Sequence, residues 1–186
     1  MITISFDIGM KNLAVCVFDK SRNILEWKVM DITNQPKHNT KKKKNDLISL
    51  GRNLKLEMDI LMATIALLTL KDNNPPNFLI LLENQIAPKA SNMKSIQCMV
   101  MQYFIDVCDE SAEIKFVSSK IKSSLFIMDK PSSPLTYAQR KRKAVETCGE
   151  MIKATSWNPL FTAKKTKKDD LADCYLQAVA YMQQQQ

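Results

Sequence analysis

Apolar and polar residues alternate from Ile2 to Ile8, placing Thr3, Ser5 and Asp7 on one face of a strand and Ile4 and Phe6 on the other. The turn Gly9-Met10-Lys11-Asn12 leads into an unbroken apolar run, Leu13 to Phe18, which predicts a strand covered on both sides. A polar turn, Asp19 to Asn23, precedes a third strand over Ile24 to Ile32. Three strands with connections this short form an antiparallel meander.

Asn34 to Asn45 contains Pro36, His38 and lysines 41 to 44, and reads as a loop or a frayed helix start. From Asp46 onward, Leu47, Leu50, Leu54, Met58, Leu61, Ile65 and Leu68 recur at steps of three and four, the stripe of a long amphipathic helix. Pro75-Pro76 stops it, and Phe78 to Leu82 predicts a buried central strand ending at Glu83. A second helix, Asn92 to Val107, carries Met93, Ile96, Val100, Tyr103 and Phe104, and Met99 and Met101 widen its apolar surface enough to serve a subunit interface. Ile114 to Val117 is a fifth strand and Ser118 to Leu135 a loop. Thr136 to Ile152 is a basic helix, and a final helix runs from Asp169 to Met182. The expected fold class is α/β, a single domain over residues 1–186. It holds a mixed five-stranded sheet, a three-strand antiparallel meander plus two parallel strands, with helices on both faces.

Composition narrows the function. The 27 Lys and Arg exceed the 19 Asp and Glu, a formal charge of +8 that favours a polyanionic partner such as nucleic acid. Three glycines, Gly9, Gly51 and Gly149, are too few and too scattered for a P-loop or dinucleotide fingerprint, so no nucleotide cofactor is expected. One histidine makes histidine triads and His/Cys zinc sites poor candidates. Five cysteines without a Cys-x-x-Cys pair suit a reducing intracellular compartment. Leu61 to Leu70 is too short to span a bilayer, so no membrane partner is expected, and neither a signal peptide nor a transit peptide is visible before Ile2.

Within this basic chain, Asp7 and Glu83 stand at strand ends, and Asp170 and Asp173 share one helix face at a spacing of three. Such a cluster repels itself unless a hard cation, magnesium or manganese, binds it. Two ions could then activate water and stabilise the leaving oxygen of a phosphodiester. Each acid also has an ordinary reading. Asp170 and Asp173 can complement the positive end of the last helix, Glu83 can pair with a basic neighbour, and Asp7 can shape the turn before Gly9. Phosphate contacts are expected from Lys11, from Arg140, Lys141 and Lys143, and from Lys164, Lys165, Lys167 and Lys168, all of which could equally be solvated.

Asp7-Ile8-Gly9-Met10-Lys11-Asn12-Leu13-Ala14, Leu82-Glu83-Asn84-Gln85 and Asp170-Leu171-Ala172-Asp173 resemble the three signatures of RuvC-like Holliday junction resolvases, whose fold is that of ribonuclease H. Lys11-Asn12 and Glu83-Asn84-Gln85 are most similar to the poxvirus and fungal mitochondrial branch. The resemblance implies a homodimer that binds four-way junction DNA and makes paired symmetric nicks with two magnesium ions per site. Asp7, Glu83, Asp170 and Asp173 would be the catalytic, metal-binding acids. It also implies an assisting basic residue after the fifth strand, where both Lys120 and Lys122 lie. Asp169 leaves open a register of Asp169 with Asp173, and Ile86 replaces an aromatic residue of the bacterial members. The viral branch adds a cytoplasmic replication site as an expected location, ahead of the mitochondrion. Two alternatives keep the same fold: a ribonuclease for RNA-DNA hybrid or structured RNA, and a non-catalytic nucleic-acid-binding module.

Overall fold

The computed structural model describes residues 1–33, 46–70, 76–85, 91–126 and 135–185. The expected polar segment Asn34 to Asn45, residues 127–134 of the expected loop, Pro75, Ile86 and Gln186 lie outside them. Five strands, β1 (Ile2–Asp7), β2 (Leu13–Phe18), β3 (Ile24–Met30), β4 (Phe78–Glu83) and β5 (Glu113–Val117), form one sheet in the order β3-β2-β1-β4-β5. β1, β2 and β3 pair antiparallel, whereas β1 with β4 and β4 with β5 pair parallel. The mixed sheet therefore has the predicted composition. β3 stops two residues before the predicted Ile32, because the Asp31 carboxylate accepts from the Thr33 amide at 2.9 Å and turns the chain.

The period-two alternation of β1 sorts its residues between two cores. Ile2, Ile4, Phe6 and, from β4, Ile80 and Leu82 face α1 (Leu47–Leu68) and α2 (Ser91–Val107). Leu79 and Leu81 face α3 (Tyr137–Ile152), α4 (Asn158–Ala163) and α5 (Lys168–Gln184) on the other side. Helices thus cover both faces of the sheet.

Helix starts follow local chemistry. Asp46 caps α1 by accepting from the Ser49 amide, and Thr136 and Gln139 form a reciprocal capping box on α3. The α1 stripe is buried at Leu50, Leu54, Met58, Leu61 and Ile65, but Leu47 and Leu68, at the helix ends beyond the sheet, are exposed. In α2, Ile96, Val100 and Phe104 are buried, and Met93, Met99, Met101 and Tyr103 are partly covered by the same core. Gly51 of α1 leaves room for the Met99 sulfur, to which an added Cβ would stand 3.3 Å away. Of the second apolar side of α2, predicted as a subunit interface, Met99 thus packs on α1. Exposed apolar residues on these two helices include Ile48, Leu56, Ile60 and Leu67 on α1 and Ile105 and Val107 at the end of α2.

Two further elements depart from the predicted outline. The expected loop after β5 contains a 3₁₀ turn, Ile121–Phe126, closed by Ile121 N–H to Ser118 O and Ser123 N–H to Lys120 O. Leu125 and Phe126 anchor it to the core beneath α5. The short α4 sets the Phe161 ring in a stack on Trp27, with centroids 5.3 Å apart. Among the described residues, no helix is long and apolar enough to cross a membrane.

Candidate active site

The parallel register that pairs Phe6 with Leu82 brings the next residues, Asp7 and Glu83, side by side at the carboxyl ends of the two central strands. Both lie on the α5 face. The β1–β2 turn that follows is tight: a Cβ on Gly9 would meet the Asn12 carbonyl oxygen at 2.8 Å, which explains the glycine.

The first turns of α5 lie across this point. Lys167, in a left-handed conformation with φ 63°, precedes the helix, and its ammonium lies 3.4 Å from the Lys11 carbonyl oxygen. The Trp27 indole donates to the Leu171 carbonyl at 3.0 Å, and Gln177, one turn beyond Asp173, is fully buried against β1 and β4. These contacts hold Asp170 and Asp173 toward Asp7 and Glu83.

Lys122, delivered by the 3₁₀ turn, completes the cluster. Its ammonium lies 3.1 Å from Glu83 Oε2 and 3.1 Å from Asp173 Oδ1, and the side chain is only 9% exposed. Burial alone would favour the neutral amine, but Asp173, Glu83 and Asp7 outweigh it and raise the Lys122 pKa. Burial, followed by the neighbouring Glu83, pushes Asp7 well above the usual carboxylate range. Asp173 is also raised by burial, with Lys122 opposing. Asp170 is pushed up to about 6, first by burial and then by Asp169.

These acids hold more negative charge than the protein neutralises, and their hard oxygens suit a divalent cation. Among the described residues, no three carboxylates already stand as an ion cage, and the Lys122 ammonium bridges Glu83 and Asp173. An open cleft of about 360 Å³ reaches the cluster, lined by Asp7, Gly9, Lys11 and Asp170 among others.

The chain matches the sequence profile described as "Poxvirus A22 protein" over residues 1–185. It belongs to that family. No curated protein sequence is significantly similar. Solved structures that share the fold include the following three. The fowlpox virus Holliday junction resolvase is 20% identical with TM-score 0.58, covering 100% of both chains. Thermus thermophilus RuvC is 9% identical with TM-score 0.62, covering 100% of this chain and 97% of that one. The yeast mitochondrial Holliday junction resolvase is 17% identical with TM-score 0.56, covering 98% and 78%.

In this family member, the choices left open by the sequence separate in space. Lys122 reaches the acids, whereas Lys120 is exposed. Asp170 lines the cleft with Asp7, whereas Asp169 forms a short ion pair with Lys141. Burial opposes that pairing, but Lys141 wins and lowers the Asp169 pKa. Lys141, expected as a phosphate contact, pairs with Asp169 at the edge of the site with its side chain 37% exposed, and its ammonium is also 5.3 Å from the Tyr137 ring centroid. Lys168 lies over the Phe161 ring at 5.7 Å, and Arg140 donates to the Leu135 carbonyl at 2.7 Å. Lys11, Lys164, Lys165 and Lys167 are exposed, and Lys143 lines a separate groove on α3 with Arg142. Gln177 escaped the sequence reading, although its step of four from Asp173 put it on the same helix face.

Proposed function

We propose that this poxvirus A22 family member is a structure-specific endonuclease that resolves four-way DNA junctions by paired symmetric nicks. The observation that carries the reading is the convergence of Asp7, Glu83 and Asp173, from β1, β4 and α5, around Lys122, beside an open cleft that Asp7 and Asp170 line. The family match and the shared fold of three junction resolvases support it.

Asp7, Glu83, Asp170 and Asp173 would hold magnesium, two ions per site, with manganese able to substitute. When bound, such ions activate water and neutralise the leaving oxygen of a phosphodiester. Asp7, enclosed and short of positive charge in the metal-free protein, is the acid with most to gain from a cation. Lys122, held between Glu83 and Asp173, places a positive charge beside the reacting phosphate. Lys11, Arg140, Lys143, Lys164, Lys165, Lys167 and Lys168 position the duplex arms through phosphates, which fixes orientation without reading bases.

The single domain acts as a homodimer, paired through the exposed Leu56, Ile60 and Leu67 of α1. All five cysteines are free, which suits a reducing setting such as a cytoplasmic site of viral replication.

The test is magnesium-dependent cleavage of a labelled four-way junction beside linear duplex and an RNA-DNA hybrid. Paired nicks confined to the junction are expected. Cleavage of the hybrid alone would transfer the assignment to a ribonuclease, and binding without cleavage would leave a non-catalytic module.

A further inference from the structure

The acids of the site come from three elements, so catalysis depends on how α5 is set against β1 and β4. The apolar residues of α5 that touch the sheet, Leu171, Cys174 and Ala178 among them, resist separation but not small rotation or sliding, because dispersion contacts are non-directional. Gln177 supplies direction. Its side-chain amide nitrogen lies 3.0 Å from Ser5 Oγ, 3.1 Å from the Phe6 carbonyl and 3.4 Å from the Leu81 carbonyl.

Each partner stands next to the chemistry. Phe6 immediately precedes Asp7, Leu81 lies two residues before Glu83, and Gln177 follows Asp173 by one helical turn. The side chain is fully buried, and its carbonyl oxygen Oε1 has no hydrogen-bond partner. Leucine or methionine would fill the space without that cost, so a role limited to packing does not account for the residue.

We propose that Gln177 is a positioning residue, an amide clamp that sets Asp170 and Asp173 at their working distance from Asp7 and Glu83. The inference rests on the reading of these acids as the metal-binding cluster of a nuclease. Without the clamp, α5 still packs on the sheet, but its acids shift relative to the strand ends. Displacements of this size lower a rate without removing substrate binding.

The test uses Gln177→Met, which keeps length and volume and removes the donor. The expected result is a folded protein with KM for a four-way junction within about twofold of wild type and kcat lowered about tenfold to a hundredfold. Calcium affinity, measured by calorimetry on the same protein without DNA, falls in parallel, and added magnesium recovers part of the rate. A folded Gln177→Met with wild-type kcat and wild-type calcium affinity would overturn the proposal. If that variant does not fold, Ser5→Ala removes one of the three contacts at the cost of a single hydroxyl. It should show the same split at about two- to fivefold, and an unchanged kcat and calcium affinity there would equally overturn it. A wild-type protein that binds calcium but cleaves no junction would remove the nuclease reading, and the calcium comparison would still decide the role of Gln177.

Discussion

The two faces of the sheet carry the same strands but are built differently. On the α1–α2 side, Ile2, Ile4, Phe6, Ile80 and Leu82 meet Leu54, Leu61, Val100 and Phe104 in a core of apolar side chains. On the α5 side, the intervening positions of β1 are Thr3, Ser5 and Asp7, and β4 ends in Glu83. They meet Gln177, Asp173 and the buried Lys122. One face holds the strands chiefly by apolar burial, with the buried Gln97 of α2, whose side-chain oxygen accepts from the Gln85 N–H at 3.2 Å, as its polar exception. The other accepts buried polar and charged groups whose energy depends on exact partners, which is the condition for chemistry and a poor one for stability.

That contrast is broken most forcefully from the apolar side. Phe104→Ala empties a fully buried site beside Phe6, and it should cost about 4 kcal/mol in urea unfolding while leaving the cleavage rate per folded molecule unchanged. Lys122→Met attacks the opposite face. It strands Glu83 and Asp173 without their counter-charge, and the metal-free protein should lose about 3 kcal/mol of stability. A divalent ion should return much of that loss in a thermal melt, a rescue with no counterpart in Phe104→Ala.

A smaller effect follows from the raised carboxyl groups. Asp170 titrates near 6 in the folded chain, and Asp7 and Asp173 are also raised, each chiefly by burial, against about 4 in the unfolded chain. The folded state therefore binds more protons in this window, and metal-free stability should fall as pH rises from about 4 to about 6 and remain lower above it. Solvent screening limits the share of Asp170 to on the order of 1 kcal/mol. Saturating magnesium should flatten the profile, and an unchanged profile would detach these acids from metal binding. The mildest change is Lys165→Ala on the exposed basic loop. It should leave stability alone and reduce the slope of log junction affinity against log salt by about 1.

The same contrast governs what could be read from the sequence. The alternation Ile2, Ile4, Phe6 and the spacing of Leu50, Leu54, Met58, Leu61 and Ile65 are periodic signals. They specify strands, a helix and their inward faces, and the sheet order follows from short antiparallel turns and helical crossovers. Asp7, Glu83, Asp170 and Asp173 were visible because carboxylates at strand ends and on one helix face are conspicuous in a basic chain. Contacts made by nonperiodic segments were not. Lys120 and Lys122 are equivalent until the 3₁₀ turn aims one at Glu83, and Lys141 resembles its basic neighbours until α3 packs beside Asp169. Met99 looked surplus to α2 because nothing in its own helix shows that Gly51 makes room for it on α1.

The division of labour between the two faces is tested most directly by one assay, the magnesium-dependent rate of four-way junction cleavage per folded molecule, for Asp7→Asn beside Phe104→Ala. Asp7→Asn should still bind the junction and cleave it about a thousandfold more slowly, while Phe104→Ala, below its melting temperature, cleaves at the wild-type rate. Wild-type cleavage by Asp7→Asn, or an equal loss in both variants, would contradict the account.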